Sequence, residues 1–258
     1  MILVRPACPG LRAGDNFSMS EHHTFDALPP SGMAELSHWQ VVRASGADAV
    51  SFLQGQLTHD LALLPAEAGR LNAYCNPQGR MLANLFTWRD GPDVCLVLPK
   101  ALAEATLKRL RMFVMRAQCQ LSEDTQGLWG AWGEAVPAEL GQTWQLLRNA
   151  QGTWLRLSDG PNGLARALCC APQAPSAQPE APSVWDAWSI AAAEAWLTPE
   201  TVAVFVPQML NWESLDGISF KKGCYPGQEV VARSQFRGAI KRRTQRVSSP
   251  QPLSAGQP

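Results

Sequence analysis

Lys222-Gly223-Cys224-Tyr225-Pro226-Gly227-Gln228-Glu229-Val230-Val231-Ala232-Arg233 is the stretch around which the chain is organised. Gly223, Pro226 and Gly227 punctuate the backbone so strongly that residues 222–228 read as a turn or loop rather than an element interior. Val230 and Val231 then start a strand, or a short helix, that runs into the core. A thiol held between two glycines is either a functional group on display or part of a tightly packed turn. The surrounding sequence has to choose.

The bulk properties narrow the setting. The chain has 258 residues, long enough for a real core in one large domain or two modest ones. Apolar residues make up 46% and charged residues 17%, a globular balance. Net charge is zero, so bulk electrostatics do not mark a polyanion binder. No run of 18 apolar residues occurs, so no transmembrane helix is expected. The first residues, interrupted by Pro6 and Pro9, lack the apolar stretch of an export signal. Of the seven cysteines, Cys8, Cys75, Cys95, Cys119, Cys169, Cys170 and Cys224, none shows the Cys/His spacing of a zinc site. A cytoplasmic location with reduced thiols is therefore expected.

Outward from the loop, order is expected over residues 34–246, between an unstructured tail (1–33) and an unstructured end (247–258). Trp39–Ser45 reads as a strand. The apolar positions Val50, Phe52, Leu53, Leu57 and Leu61 recur at helical spacing across a break at Gly55. Leu71–Cys75 and Met81–Trp88 flank Asn76-Pro77-Gln78-Gly79 and form a hairpin. A strand over 93–98, a helix over 101–115, a strand over 117–121, strands near 129–132 and 154–157, and a weak helix near 137–148 follow. Residues 171–183 are a Pro/Ala/Ser connector, and a tryptophan-rich helix runs from 184 to 197. Interspersed helices and strands give an α+β class.

Charge is uneven. Between residues 221 and 246 lie eight cations, Lys221, Lys222, Arg233, Arg237, Lys241, Arg242, Arg243 and Arg246, against Glu229 alone, a local charge of 8 − 1 = +7. The segment is a solvated face, or a site for an anion such as a glutamate-tailed ligand or RNA phosphates.

The segment 221–233, followed by Phe236-Arg237-Gly238 and Lys241-Arg242, resembles the Cys-loop motif of the YgfZ family of folate-binding proteins. Phe205–Asn211, Gly217-Ile218-Ser219-Phe220, Gly46-Ala47-Asp48 and Phe52–Asp60 resemble it too, so the likeness runs from about Trp39 to Arg243. It implies a fold shared with the T-protein (aminomethyltransferase) of the glycine cleavage system: a ferredoxin-like portion, a central tetrahydrofolate cavity and a C-terminal β-barrel. This chain stops soon after Arg246, so that barrel is expected to be missing.

The resemblance assigns folate contacts to Trp39 and Trp185, whose indoles suit stacking on a pterin, with core packing as the plainer alternative. Tyr225, Gln228 and Glu229 join them from the loop. Cys224 is the expected functional thiol, with Lys222 or Arg233 nearby to lower its pKa. The T-protein's paired carboxylates fall at Ala83-Asn84, which disfavours aminomethyl transfer by that route. Ala191 stands where the family's Arg/Asn-Ile-Glu-Ala-Gly pattern has an acid. The implied role is a tetrahydrofolate-binding accessory factor, with no assigned catalytic activity, that supports iron–sulfur cluster synthesis or repair and tRNA modification. Its partners would be iron–sulfur enzymes or cluster-assembly proteins, with tRNA reached only indirectly, and the chain itself a monomer that binds no metal alone. The alternative is an aminomethyltransferase-like one-carbon transfer enzyme.

Overall fold

The structure is a computed structural model. It describes residues 28–173, 175, 178–238, 240 and 242–247, together with the backbone of 2–6. Its first half forms a five-stranded antiparallel sheet from β3 (Trp39–Ser45), β4 (Gly69–Cys75), β5 (Met81–Asp90), β6 (Asp93–Pro99) and β7 (Gln120–Glu123), in the order β4-β5-β6-β3-β7. Two helices, α1 (Ala49–Gln54) and α2 (Lys100–Val114), cover one face. Side-chain alternation sorts the strands cleanly. Val42, Ala44, Leu85, Val94, Leu96 and Leu98 pack under the helices, while Val41, Phe86, Trp88, Cys95 and Val97 point the other way. The sheet is covered on both sides, so β5 is buried from Ala83 to Trp88 without a polar alternation.

The second face meets another antiparallel sheet, made of β2 (Gly32–Glu35), β8 (Gly127–Trp132), β9 (Leu146–Asn149), β10 (Gly152–Arg156) and β11 (Arg166–Ala171), in the order β2-β8-β11-β10-β9. Leu128, Trp132, Leu155 and Leu168 line the space between the sheets. Trp129, Ala131, Trp154 and Cys169 face a smaller cluster outside. Helix α3 (Pro182–Ala191) and the segment 195–220 complete the central core with Trp185, Trp188, Leu197, Leu210, Trp212 and Ile218. Helix α4 (Gln228–Phe236) adds Val231. Strand β1 (Ile2–Pro6) pairs antiparallel with β12 (Arg242–Arg246). Among the described residues no helix is long and apolar enough to cross a membrane.

Several elements differ from the sequence reading. The segment read as a tail contains β1 and the start of β2; residues 1 and 7–27 lie outside the described residues, as do 248–258. The helix expected across Gly55 ends at Gln54, and Leu57 instead bridges to Tyr74. No helix forms near 137–148. Leu140 and Trp144 belong to clusters on opposite faces of the second sheet, so one helical stripe cannot serve both. Trp144 adopts φ +71°, and its neighbours hydrogen-bond across to Glu67 and Arg156. The helix expected to reach 197 stops at Ala191, and Ala193 follows at φ +60°.

Candidate functional site

The Cys-loop turns out to be a displayed thiol on a closely fitted frame. Cys224 is exposed, while the residues on either side of it are held from three directions.

The first hold is Lys222. Its buried ammonium donates to the backbone carbonyls of Gln54, Leu57 and His59, the last at 3.2 Å. Nζ carries three hydrogens, and each has a carbonyl. The ammonium also lies 5.2 Å from the centre of the Tyr225 ring. Burial pushes Lys222 down to about 8, opposed by the charge of Asp60. The receiving segment is itself pinned. Gln54 Oε1 accepts from Leu61 N–H at 2.7 Å, and Thr58 Oγ1 accepts from Ala73 N–H at 2.8 Å and donates to Gly217 O at 2.7 Å.

The second hold is backbone on backbone. Gly227 sits at φ +81°, and a Cβ there would lie 2.4 Å from Asn76 O and 2.5 Å from Gly79 Cα. Gly79, in the β4–β5 turn, is at φ +71° and faces Val230 and Gly227 in return. Two glycines from distant parts of the chain therefore meet where no side chain fits. The third hold is Gln208, buried in the turn Pro207–Leu210, whose amide donates to Val231 O at 2.7 Å. Gln228 closes the loop on itself by donating to Lys222 O at 3.2 Å.

The expected site residues separate into two groups. Around the loop, Tyr225 is buried, its phenol pushed up by burial, and Gln228 acts as the clasp. Glu229 and Arg233 are exposed, one helical turn apart on α4. Lys222 points its ammonium away from solvent into the carbonyl cradle.

Trp39 and Trp185 lie in the central core, 8% and 1% exposed. Trp39 stacks on Phe86 at 5.9 Å and meets Trp196 edge-on at 4.5 Å; Trp196 in turn meets Phe86 at 4.8 Å and Trp212 at 5.5 Å. Trp39 Nε1 donates to His38 Nε2 at 3.0 Å. Trp185 lies against Gly130, where a Cβ would meet its ring at 2.3 Å, and against the guanidinium of Arg166 at 4.8 Å. Arg166 forms a fully buried bidentate pair with Glu194, at 3.0 and 3.2 Å.

Ala83 and Asn84 also find their places. Ala83 is buried beneath the helices. Asn84 donates to Ala195 O at 2.9 Å and accepts from Leu197 N–H at 3.1 Å, so its amide joins β5 to the post-α3 segment like a backbone unit. The sequence reading missed the anchoring roles of Thr58, Gln208 and Gly79. Only the glycine carried a local signal.

The basic segment is less uniform than its composition. Lys222 is buried, Arg243 pairs with Glu213, Arg246 donates to Ala191 O at 3.3 Å, and Lys241 lies outside the described residues. Lys221, Arg233, Arg237 and Arg242 remain exposed. Among the described residues, no group of three or more His, Cys, Asp or Glu is placed to hold a metal ion.

Two antiparallel sheets with helices on the outer face of one define the class. The fold is that of the aminomethyltransferases: a crystal structure of the glycine cleavage system aminomethyltransferase T from Bartonella henselae superposes with a TM-score of 0.61 at 16% identity over 80% of this chain. This chain spans 63% of that protein's length. Proteins named tRNA-modifying protein YgfZ are similar in sequence. The one from Enterobacter sp. (strain 638) is 32% identical over 229 residues, 83% of this chain and 70% of the relative. That from Escherichia coli O7:K1 is 30% identical over 85% of this chain and 72% of the relative. That from Serratia proteamaculans is 29% identical over 83% and 69%. The chain belongs to the YgfZ family. No protein-family model matches it.

Proposed function

We propose that this chain binds tetrahydrofolate and acts, through Cys224, as an accessory factor for tRNA modification that depends on iron–sulfur enzymes. The observation that carries the proposal is the placement of one exposed thiol on a loop anchored to three separate elements. A loop tied so firmly exists to hold something in a fixed position, and Cys224 is the reactive group it holds.

The aromatic cluster around Trp39 supports the pterin assignment by the groups it offers. Flat aromatic faces gather at Trp39, Phe86, Trp196 and Trp212, and the indole N–H groups of Trp188, Trp196 and Trp212 are buried without a hydrogen-bond partner. A pterin offers both a stacking face and acceptor atoms. Tyr225, Gln228 and Glu229 supply the loop side. Trp185 is the weaker member, since Gly130 and Arg166 already cover it. Bound tetrahydrofolate would supply one-carbon chemistry. The chain's own residues would orient the ligand and present the thiol.

Aminomethyl transfer is disfavoured. Asn84 uses both ends of its amide as a structural link, and Ala83 has no proton to move, so neither supplies the general acid or base that route needs.

Titrating tetrahydrofolate against intrinsic tryptophan fluorescence tests the ligand. A saturable change that is abolished in Trp39→Leu is expected, and a flat response overturns the folate assignment. Cys224→Ala in a strain lacking its relative tests the thiol. Loss of complementation with an unchanged fold is expected, and full complementation removes the chemical role of Cys224.

A further inference from the structure

The exposed side of α4 presents an unusual combination. Arg233 and Phe236 lie three residues apart on the face of α4 opposite the buried Val231, and Arg237 follows directly as the residue that ends the helix. Phe236 is 70% exposed, yet it is not loose: its ring meets Phe220 edge-on at 5.4 Å. Arg242 is exposed on β12, which docks on the Pro207–Leu210 turn through a hydrogen bond from Thr244 Oγ1 to Met209 O at 2.8 Å. That turn holds α4 through Gln208.

Lys221, Arg233, Arg237 and Arg242 are exposed. Among the described residues no carboxylate lies within ion-pair distance of any of them, although Glu229 is on the same helix. Two exposed arginines beside an exposed phenyl ring supported by Phe220, with Glu229 as the one acid on the helix, match a polyanion that also carries flat rings. Phosphates meet the arginines, and a base stacks on the phenylalanine.

We propose that the exposed face of α4 carrying Arg233, Phe236 and Arg237 is a docking surface for single-stranded RNA such as a tRNA loop, with Phe236 as its stacking platform. Cys224 lies in the loop that leads into the same helix, four residues before Gln228. This reading makes tRNA a direct partner instead of an indirect one. It draws on the proposed role in tRNA modification for the choice of polyanion.

The test uses the full chain and a fluorescein-labelled, unmodified tRNA transcript, with anisotropy measured over a series of KCl concentrations. Binding that weakens with salt is expected. Arg233→Ala/Arg237→Ala should weaken it and reduce the slope of log K against log[KCl] by about 1.4, at about 0.7 per phosphate contact on a single strand. Phe236→Ala should weaken binding about tenfold with the slope unchanged, while Phe236→Trp keeps it. Variants that bind like the wild type overturn the proposal. So does binding of poly-glutamate that competes fully with tRNA and is indifferent to Phe236, which would assign the face to an acidic protein partner. Tetrahydrofolate titration of the arginine double variant separates this inference from the folate reading. Loss of folate binding with RNA binding retained assigns the arginines to the ligand's glutamate tail and overturns the RNA site. RNA binding in a chain that ignores tetrahydrofolate upholds the RNA site and removes the folate.

Discussion

Lys222 is a base that the fold has turned into a tie. Its folded-state value of about 8 lies below the ordinary 10.5, so between those values the unfolded chain binds more protons than the native one. Stability from this group therefore rises with pH across that window, by up to about 1.4 kcal/mol per pH unit. Thermal or urea unfolding of wild type and Lys222→Met from pH 7 to 10 should show the difference shifting in the wild type's favour as pH rises. A constant difference contradicts the buried-ammonium description. The two glycines beside Cys224 make a second residue-scale contrast. Nothing lies within 4 Å of a Cβ at Gly223, so Gly223→Ala should be tolerated within about 0.5 kcal/mol. Gly227→Ala has to place its Cβ 2.4 Å from Asn76 O at φ +81°, and should cost about 2 kcal/mol or more. Equal effects in denaturant unfolding would contradict the backbone joint.

At the scale of elements, the end of α3 carries a correctable strain. Ala193 is held at φ +60°, the left-handed region that glycine enters at little cost. Ala193→Gly should gain about 1 kcal/mol, read as a raised urea midpoint with an unchanged m-value. Asn84→Asp does the reverse, because a carboxylate cannot donate to Ala195 O. Buried, the new carboxyl would titrate above its unfolded value, so the variant should lose stability as pH rises from the acid side, a trend opposite to that of a paired surface aspartate.

Element by element, legibility followed locality. Trp39–Ser45 and the 76–79 hairpin were readable because period-two patterning and a Pro/Gly turn sit within a few residues. The Leu140–Trp144 spacing looked helical because a sequence pattern does not reveal that its apolar residues serve two different clusters. The loop's punctuation announced a turn, but the partners of Lys222 lie 163 to 168 residues away in sequence. Its role as a tie was therefore invisible, and it read instead as a neighbour of the thiol. Likewise, Trp39 and Trp185 were readable as aromatic candidates, whereas the cover that Gly130 and Arg166 place on Trp185 belongs to tertiary packing alone.

For the molecule as a whole, the thiols divide by depth. Cys75, Cys95 and Cys169 are buried, each pushed up to about 12 chiefly by burial, and Cys170 is pushed up as well, while Cys224 is at the surface. A chromogenic disulfide reagent at pH 8 should show one fast equivalent fewer in Cys224→Ala than in the wild type. The buried thiols should react only on unfolding. If the two proteins lose reagent identically, Cys224 is not the accessible thiol. The triple anchoring of its loop has a further meaning for how any reaction there proceeds. The Gly227–Gly79 joint, the Lys222 cradle and the Gln208 bond tie the loop at both ends, so moving it as a whole would mean moving the hairpin and the end of α1 with it. The thiol is a stationary post, not a swinging arm. Reacting groups have to arrive along one line of approach, and the rate should fall with the bulk of the incoming molecule while remaining insensitive to solvent viscosity.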